Sequence, residues 1–207
     1  MGALQAFQWA VSYPDEVARI APWVGHARTT PHTFVYLEGL AAALKTDAAW
    51  RGGHYTEPPR QGLRAMGRVA AGWPFSQAWY REERYKELGY PSLNDFLVRF
   101  WEAFFLPHDA NNLLSQIYTW QGHNVGDSPG FQGDYKKALA SIQARAVIMP
   151  GQTDLYFPPE DSALEVACIP NAELKMIPSI WGHFAGGNFN ETDADFVDQA
   201  IKECLTT

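Results

Sequence analysis

Small and large apolar residues alternate from Met1 to Ser12, and Tyr13-Pro14-Asp15 stops them, a pattern that predicts an opening buried helix closed by a turn. Three short apolar runs follow at wide intervals: RIAPWVG from Arg19 to Gly25, ARAVIMPG from Ala144 to Gly151, and LKMI from Leu174 to Ile177. Short, nearly continuous apolar runs of this kind predict strands buried in a parallel sheet. From Asp193 to Leu205, Phe196, Val197, Ala200, Ile201 and Cys204 recur at helical spacing and predict a closing helix.

The middle of the chain has a different character. Between Thr30 and Tyr135 the segments are rich in aromatics and their apolar spacing is helical, over Phe34–Lys45, Gly62–Ala71, Ser76–Leu88, Leu93–Phe105 and Asn111–Gln121. Gly52-Gly53, Pro58-Pro59, Pro74, Pro91 and Pro107 punctuate these segments, and none reads as a strand. The Gly126–Gly133 stretch reads as a loop leading back to the sheet. The expected organisation is an α/β core made of residues 1–29 and 136–207, interrupted by a helical lid or cap over 30–135.

Composition narrows the function classes. A length of 207 residues suits one buried core, and 46% hydrophobic with 19% charged residues is a globular composition. The formal charge of −7 argues against nucleic-acid and anionic-membrane partners, both of which attract a Lys/Arg surplus. No apolar run spans a bilayer, and Gln5 and Gln8 interrupt the N-terminal run, which lacks the basic flank of a signal peptide. Cys168 and Cys204 read as free buried thiols, which points to a reducing cytoplasm. The scattered histidines make no metal motif.

Chemistry is expected just beyond the carboxyl ends of the strands. Asp154 follows the second run, in QTDLYFPPE, and His183 follows the third, in PSIWGHFAGG. A carboxylate can orient an imidazole, which then serves as a general base. Asp then His is the chain order of the last two members of an α/β-hydrolase triad. The bland alternative makes Asp154 a turn cap and His183 a buried ring. A nucleophile elbow, G-x-S-x-G, is absent, but Met1-Gly2-Ala3 followed by a helix matches its second half and places the expected serine just before Met1.

These residues resemble the homoserine O-acetyltransferases and their relatives in the α/β-hydrolase superfamily. MGALQAFQWAVSYPD resembles the helix after the family's nucleophile, where G-x-S-M-G leads into a Gln-rich, Trp-containing helix ending in Tyr-Pro. Arg19-Ile20-Ala21-Pro22, Gly62-Leu63 with Ser76, Asp109-Ala110-Asn111, Asp154 with Phe157-Pro158-Pro159-Glu160, and Gly182-His183 resemble family segments in the same order, across essentially the whole chain. The resemblance implies a partial α/β-hydrolase fold, its C-terminal strands forming a parallel sheet with flanking helices and a helical lid. It implies acyl transfer through a seryl ester. His183 would be base and acid, Asp154 its orienter, and the N–H of Met1 an oxyanion-hole donor. No bound cofactor is implied; acetyl-CoA would be the acyl donor, with a small-molecule acceptor.

The sequence also departs from the family. The cap helix carries an Arg able to hold the acceptor's carboxylate, but that position is Gly67 here, with Arg68 one step on. Pro74-Phe75, Pro107-His108 and His123-Asn124 replace other family residues. Homoserine is therefore not the expected acceptor, and a serine ester hydrolase fits as well as an acyltransferase. A third reading is an inactive, truncated paralogue. Arg68 is a candidate substrate-binding residue against the alternative of a solvated helix face, and Trp181 is the candidate lining residue beside His183. The other aromatics read mainly as lid core, Asp109 as an N-cap, and His26 as a loop histidine. A sheet of few strands would leave an edge and an apolar face uncovered, which invites homo-oligomer formation.

Overall fold

The computed structural model describes residues 1–206. In chain order they form α1 (Gly2–Ser12), β1 (Arg19–Ile20), α2 (Pro31–Lys45), α3 (Arg60–Ala70), α4 (Gln77–Arg81), α5 (Leu93–Phe96), α6 (Ala103–Phe105), α7 (Ala110–Gln121), α8 (Tyr135–Ala140), β2 (Arg145–Ile148), α9 (Pro159–Val166), β3 (Ala172–Leu174) and α10 (Glu191–Thr206). They fall into two compact units: Met1–Thr29 with the chain from His123 onward, and Thr30–Gly122.

The first unit is built on a parallel sheet in the order β1-β2-β3. Period-two alternation along the central strand sets its two cores. Ala146 and Ile148 pack in one cluster with Phe7, Ala10 and Val11 of α1, Ala138 and Leu139 of α8, and Ile169. Val147 and Met149 pack in the other with Ile177 and with Val197, Ala200 and Cys204 of α10. Each fully buried side chain such as Ile148 stabilises this arrangement by roughly 1.5–3 kcal/mol. Both cysteines are free. No helix among the described residues is long and apolar enough to cross a membrane.

Several boundaries differ from the expectations. Pro22 cannot donate to a ladder, so the first strand is short and pairing resumes only as a bridge between Trp23 and Met149. The third strand starts before its apolar run, because Ala172 and Glu173 already pair with Ala146 and Val147 on the sheet edge, where a charged residue is tolerated. The return to the core, expected at 136, comes at His123. Val125 is fully buried in the α1-facing cluster and its N–H donates to Ala27 O at 3.1 Å, which ties residues 123–135 to the end of the first segment. Two helices lie outside the expected segments, α8 and α9. Asp134 caps α8 by accepting Lys137 N–H at 3.0 Å, and α9 opens on Pro159 with Glu160 and Asp161 in its first turn.

The second unit is all helical among its described elements, and side-chain caps start most of them. Thr30, Ser76, Ser92 and Asp109 accept N–H groups from the first turns of α2, α4, α5 and α7. The helix expected over Ser76–Leu88 breaks after Arg81, with Glu83 in the left-handed region at φ 52°. The helix expected over Leu93–Phe105 is α5 and α6 joined by a π-helical stretch, Leu97–Glu102. Phe75, Trp79, Phe96 and Trp101 are buried together, with Phe75 stacked on Trp79 at 3.9 Å, so these aromatics build the unit's own core. Gly67 explains its own presence. A Cβ there would stand 2.7 Å from Trp101 O, so α3 packs backbone-close against the π-helical stretch.

Candidate active site

The ends of β2 and β3 carry the two residues singled out in the sequence, and the structure brings them together. After β2, a turn in which Asp154 N–H donates to Gly151 O at 3.1 Å buries the Asp154 side chain, whose residue is 3% exposed. The Asp154 carboxylate divides its work. Oδ1 accepts N–H bonds from Tyr156 at 2.7 Å and Phe157 at 3.2 Å, and Oδ2 lies 3.1 Å from Nδ1 of His183. A carboxylate only accepts, so Nδ1 of His183 carries the proton and Nε2 keeps its lone pair for base chemistry. The rings of Tyr156 and Phe157 also pack on the imidazole, with centroids 4.6 and 5.5 Å from it. The same two residues thus hold the carboxylate with their backbone and the imidazole with their side chains.

His183 sits in a short 3₁₀ turn, Gly182–Phe184, and borders an open cavity of about 380 Å3. The other walls are Met1, Gly2, Ala3 and Ala6 at the start of α1, and Ala21–Val24 after β1. The volume falls in the usual range for small-molecule sites, and the side chains on these walls are apolar, Met1 and Trp23 being the large ones. Val24 holds φ 43°, a left-handed conformation that costs a β-branched residue about 1–3 kcal/mol. The first N–H groups of α1 have no partner within the helix, so its N-terminus is a source of donors and positive dipole at the cavity. None of the lining residues carries a hydroxyl or thiol. No group of residues suited to a metal ion occurs among the described residues.

Of the other residues expected at the site, Met1 lines the cavity, whereas Trp181 does not. Trp181 is buried and stacks on Phe189, with centroids 6.2 Å apart. Arg68 belongs to the second unit, where its Nε and Nη2 both reach Glu102 Oε1 at 2.6 Å. His26, expected as a loop histidine, is fully buried. Its Nε2 lies 3.1 Å from Ser162 Oγ, and its ring stands edge-on to Phe157 at 5.1 Å. Burial pushes its imidazole down to about 4, against the raising influence of Asp161 and Asp154. Beside it, Glu165 accepts Ala27 N–H at 2.8 Å and the Tyr135 hydroxyl, and burial pushes its carboxyl up to about 7. Reading the sequence missed this buried layer and the double role of Tyr156 and Phe157. The only signal was their position two and three residues after Asp154.

No protein-family model matches the chain. Among curated proteins it is 38% identical over 201 residues to an ethyl acetate hydrolase of Pseudomonas veronii, covering 96% of this chain and 56% of the relative. It is 30% identical over 199 residues to a homoserine O-acetyltransferase of Nostoc punctiforme, covering 89% of this chain and 54% of that relative. The chain thus spans little more than half the length of the curated relatives it matches. Among solved structures, the acetyl esterase MekB superposes over the whole chain with a TM-score of 0.95 at 35% identity, with 60% of the esterase covered. The sheet, the Asp–His pair beyond its strands and these likenesses agree: the chain belongs to the α/β-hydrolase superfamily, in the branch shared by acetyl esterases and homoserine O-acetyltransferases.

Proposed function

We propose that this chain supplies the base and its orienting carboxylate to a serine ester hydrolase acting on small acyl esters, with the nucleophilic serine immediately preceding Met1. The carrying observation is the 3.1 Å contact of Asp154 Oδ2 with His183 Nδ1, at a cavity that the start of α1 also lines. In this reading Nε2 of His183 takes the serine proton as the serine oxygen attacks the ester carbonyl carbon. Asp154 stabilises the imidazolium, and the N–H of Met1 donates to the oxyanion. The alkoxide leaves with the proton from Nε2. Water then attacks the acyl-enzyme, giving its proton to His183, and the carboxylic acid and free serine are released.

Replacing that water by an alcohol turns the same chemistry into acyl transfer, with acetyl-CoA as donor, and the likeness to a homoserine O-acetyltransferase favours this second reading. Gly67 weighs against it. The cap position where the resemblance expects a carboxylate-holding Arg is packed too tightly for any side chain, and Arg68 is engaged by Glu102. The test is acetate release from ethyl acetate by the protein carrying this chain and the serine, without acetyl-CoA, and its loss in His183→Ala. Acetyl transfer that requires both acetyl-CoA and an added alcohol, with no hydrolysis, would establish the transferase instead.

A further inference from the structure

The backbone ladder between β2 and β3 continues beyond both strands. Ile177 N–H donates to Pro150 O at 2.9 Å, and Gln152 N–H donates to Ile177 O at 3.0 Å. Ser179, the next residue in register on the β3 side, turns its N–H back to Ile177 O at 2.9 Å, so the backbone alone does not extend the pairing. The side chain of Thr153 does so instead. Its Oγ1 donates to Ser179 O at 2.9 Å and accepts Gly182 N–H at 3.2 Å. Thr153 immediately precedes Asp154, and Gly182 immediately precedes His183. One hydroxyl therefore joins the residue before the carboxylate to the residue before the imidazole. Gly151 lets the loops come this close, since a Cβ there would stand 2.8 Å from Gly182 O.

We propose that Thr153 is a positioning residue for the His183–Asp154 pair, its bridging hydroxyl holding the His183 turn where Nδ1 meets Oδ2. Bridging a carbonyl and an N–H needs one group that donates and accepts, a requirement a hydroxyl meets and a methyl does not. The Thr153 methyl restricts χ1 and so helps keep the hydroxyl in its bridging rotamer. Ser179 supports the same turn, its Oγ accepting Trp181 N–H at 3.1 Å and donating to buried Asp193. The inference rests on the hydrolase reading only for its effect on rate; its geometric content does not.

The test compares Thr153→Val, which keeps the shape, with Thr153→Ser, which keeps the hydroxyl. In Thr153→Val the low-field NMR resonance of the His183 Nδ1 proton should disappear. Gly182 N–H should exchange about tenfold faster, the loss of one hydrogen bond of ordinary net worth. Ile177 N–H, bonded to Pro150, should exchange as before. Thr153→Ser should restore both signals. In protein that carries the nucleophile, Thr153→Val should lower kcat by roughly ten- to a hundredfold with KM little changed. Retention of the Nδ1 resonance and of Gly182 protection in Thr153→Val overturns the proposal, as does an unprotected Gly182 in the wild type. If the valine variant does not fold, Thr153→Ala makes the same comparison. Wild-type protein that carries the nucleophile yet is inactive on esters, with the expected NMR behaviour, overturns the hydrolase reading and leaves the positioning role standing.

Discussion

Asp154 and His183 are joined through one carboxylate oxygen, Oδ2 to Nδ1 at 3.1 Å, while the other oxygen is held by the N–H groups of Tyr156 and Phe157. The carboxylate is thus fixed by the backbone that follows it before it orients the imidazole, and that division makes its replacement informative.

Asp154→Asn keeps an acceptor for the two N–H groups but offers the imidazole an amide N–H. His183 would then hold its proton on Nε2, the wrong nitrogen for a base. We expect the fold to survive, by circular dichroism and thermal melting, and the ester hydrolysis of the protein carrying the nucleophile to fall by on the order of 10⁴-fold.

No hydroxyl or thiol lines the cavity beside His183. The 207-residue chain by itself should therefore show no turnover of an aryl acetate above that of free imidazole. Rapid turnover that disappears in His183→Ala would refute this.

Gly67 allows α3 to pack against Trp101 O, where a Cβ would stand at 2.7 Å. Gly67→Ala should lower stability by about 1–3 kcal/mol through overpacking, read as a fall in Tm. Gly67→Arg should be worse, and it should not create homoserine acetylation.

The two buried groups behind the site titrate in opposition. His26 is depressed to about 4, so its contribution to stability is complete above the ordinary histidine value near 6.5 and is lost as pH falls toward 4. Glu165 is raised to about 7, so its contribution is complete below its ordinary value of 4.5 and is lost as pH rises through 7. The slopes oppose each other over most of that window. Glu165→Gln should unmask a rise in stability from pH 4 to 6.5, and His26→Asn a fall from pH 4.5 to 7, both measured by chemical denaturation across pH.

Trp23 is the bulkiest of the side chains that line the cavity. In the protein carrying the nucleophile, Trp23→Ala should shift preference from acetyl toward butyryl esters, by up to roughly tenfold in relative kcat/KM for each methylene accommodated. An unchanged acyl-chain preference would place the acyl group elsewhere.

The amino-acid sequence by itself determined whatever repeats locally or stops locally. The spacing of Phe7, Ala10 and Val11 made α1 an amphipathic helix, and the run around Val147 and Ile148 made a buried strand. Asp154 and His183 were legible because each follows such a run. Boundaries differ where a local signal is outweighed or short: Pro22 cuts a strand short, Glu83 breaks a helix, and α8 and α9 are short helices marked only by the Asp134 cap and by Pro159 with an acidic first turn. Tertiary structure alone decided the contacts between residues far apart in the chain. It set Nδ1 of His183 against Asp154, buried Glu165 against Ala27 and Tyr135, paired Arg68 with Glu102 and pressed Gly67 onto Trp101. Periodicity records which face of an element is apolar. It does not record which polar atom on another element meets a given donor, because that depends on how the elements pack.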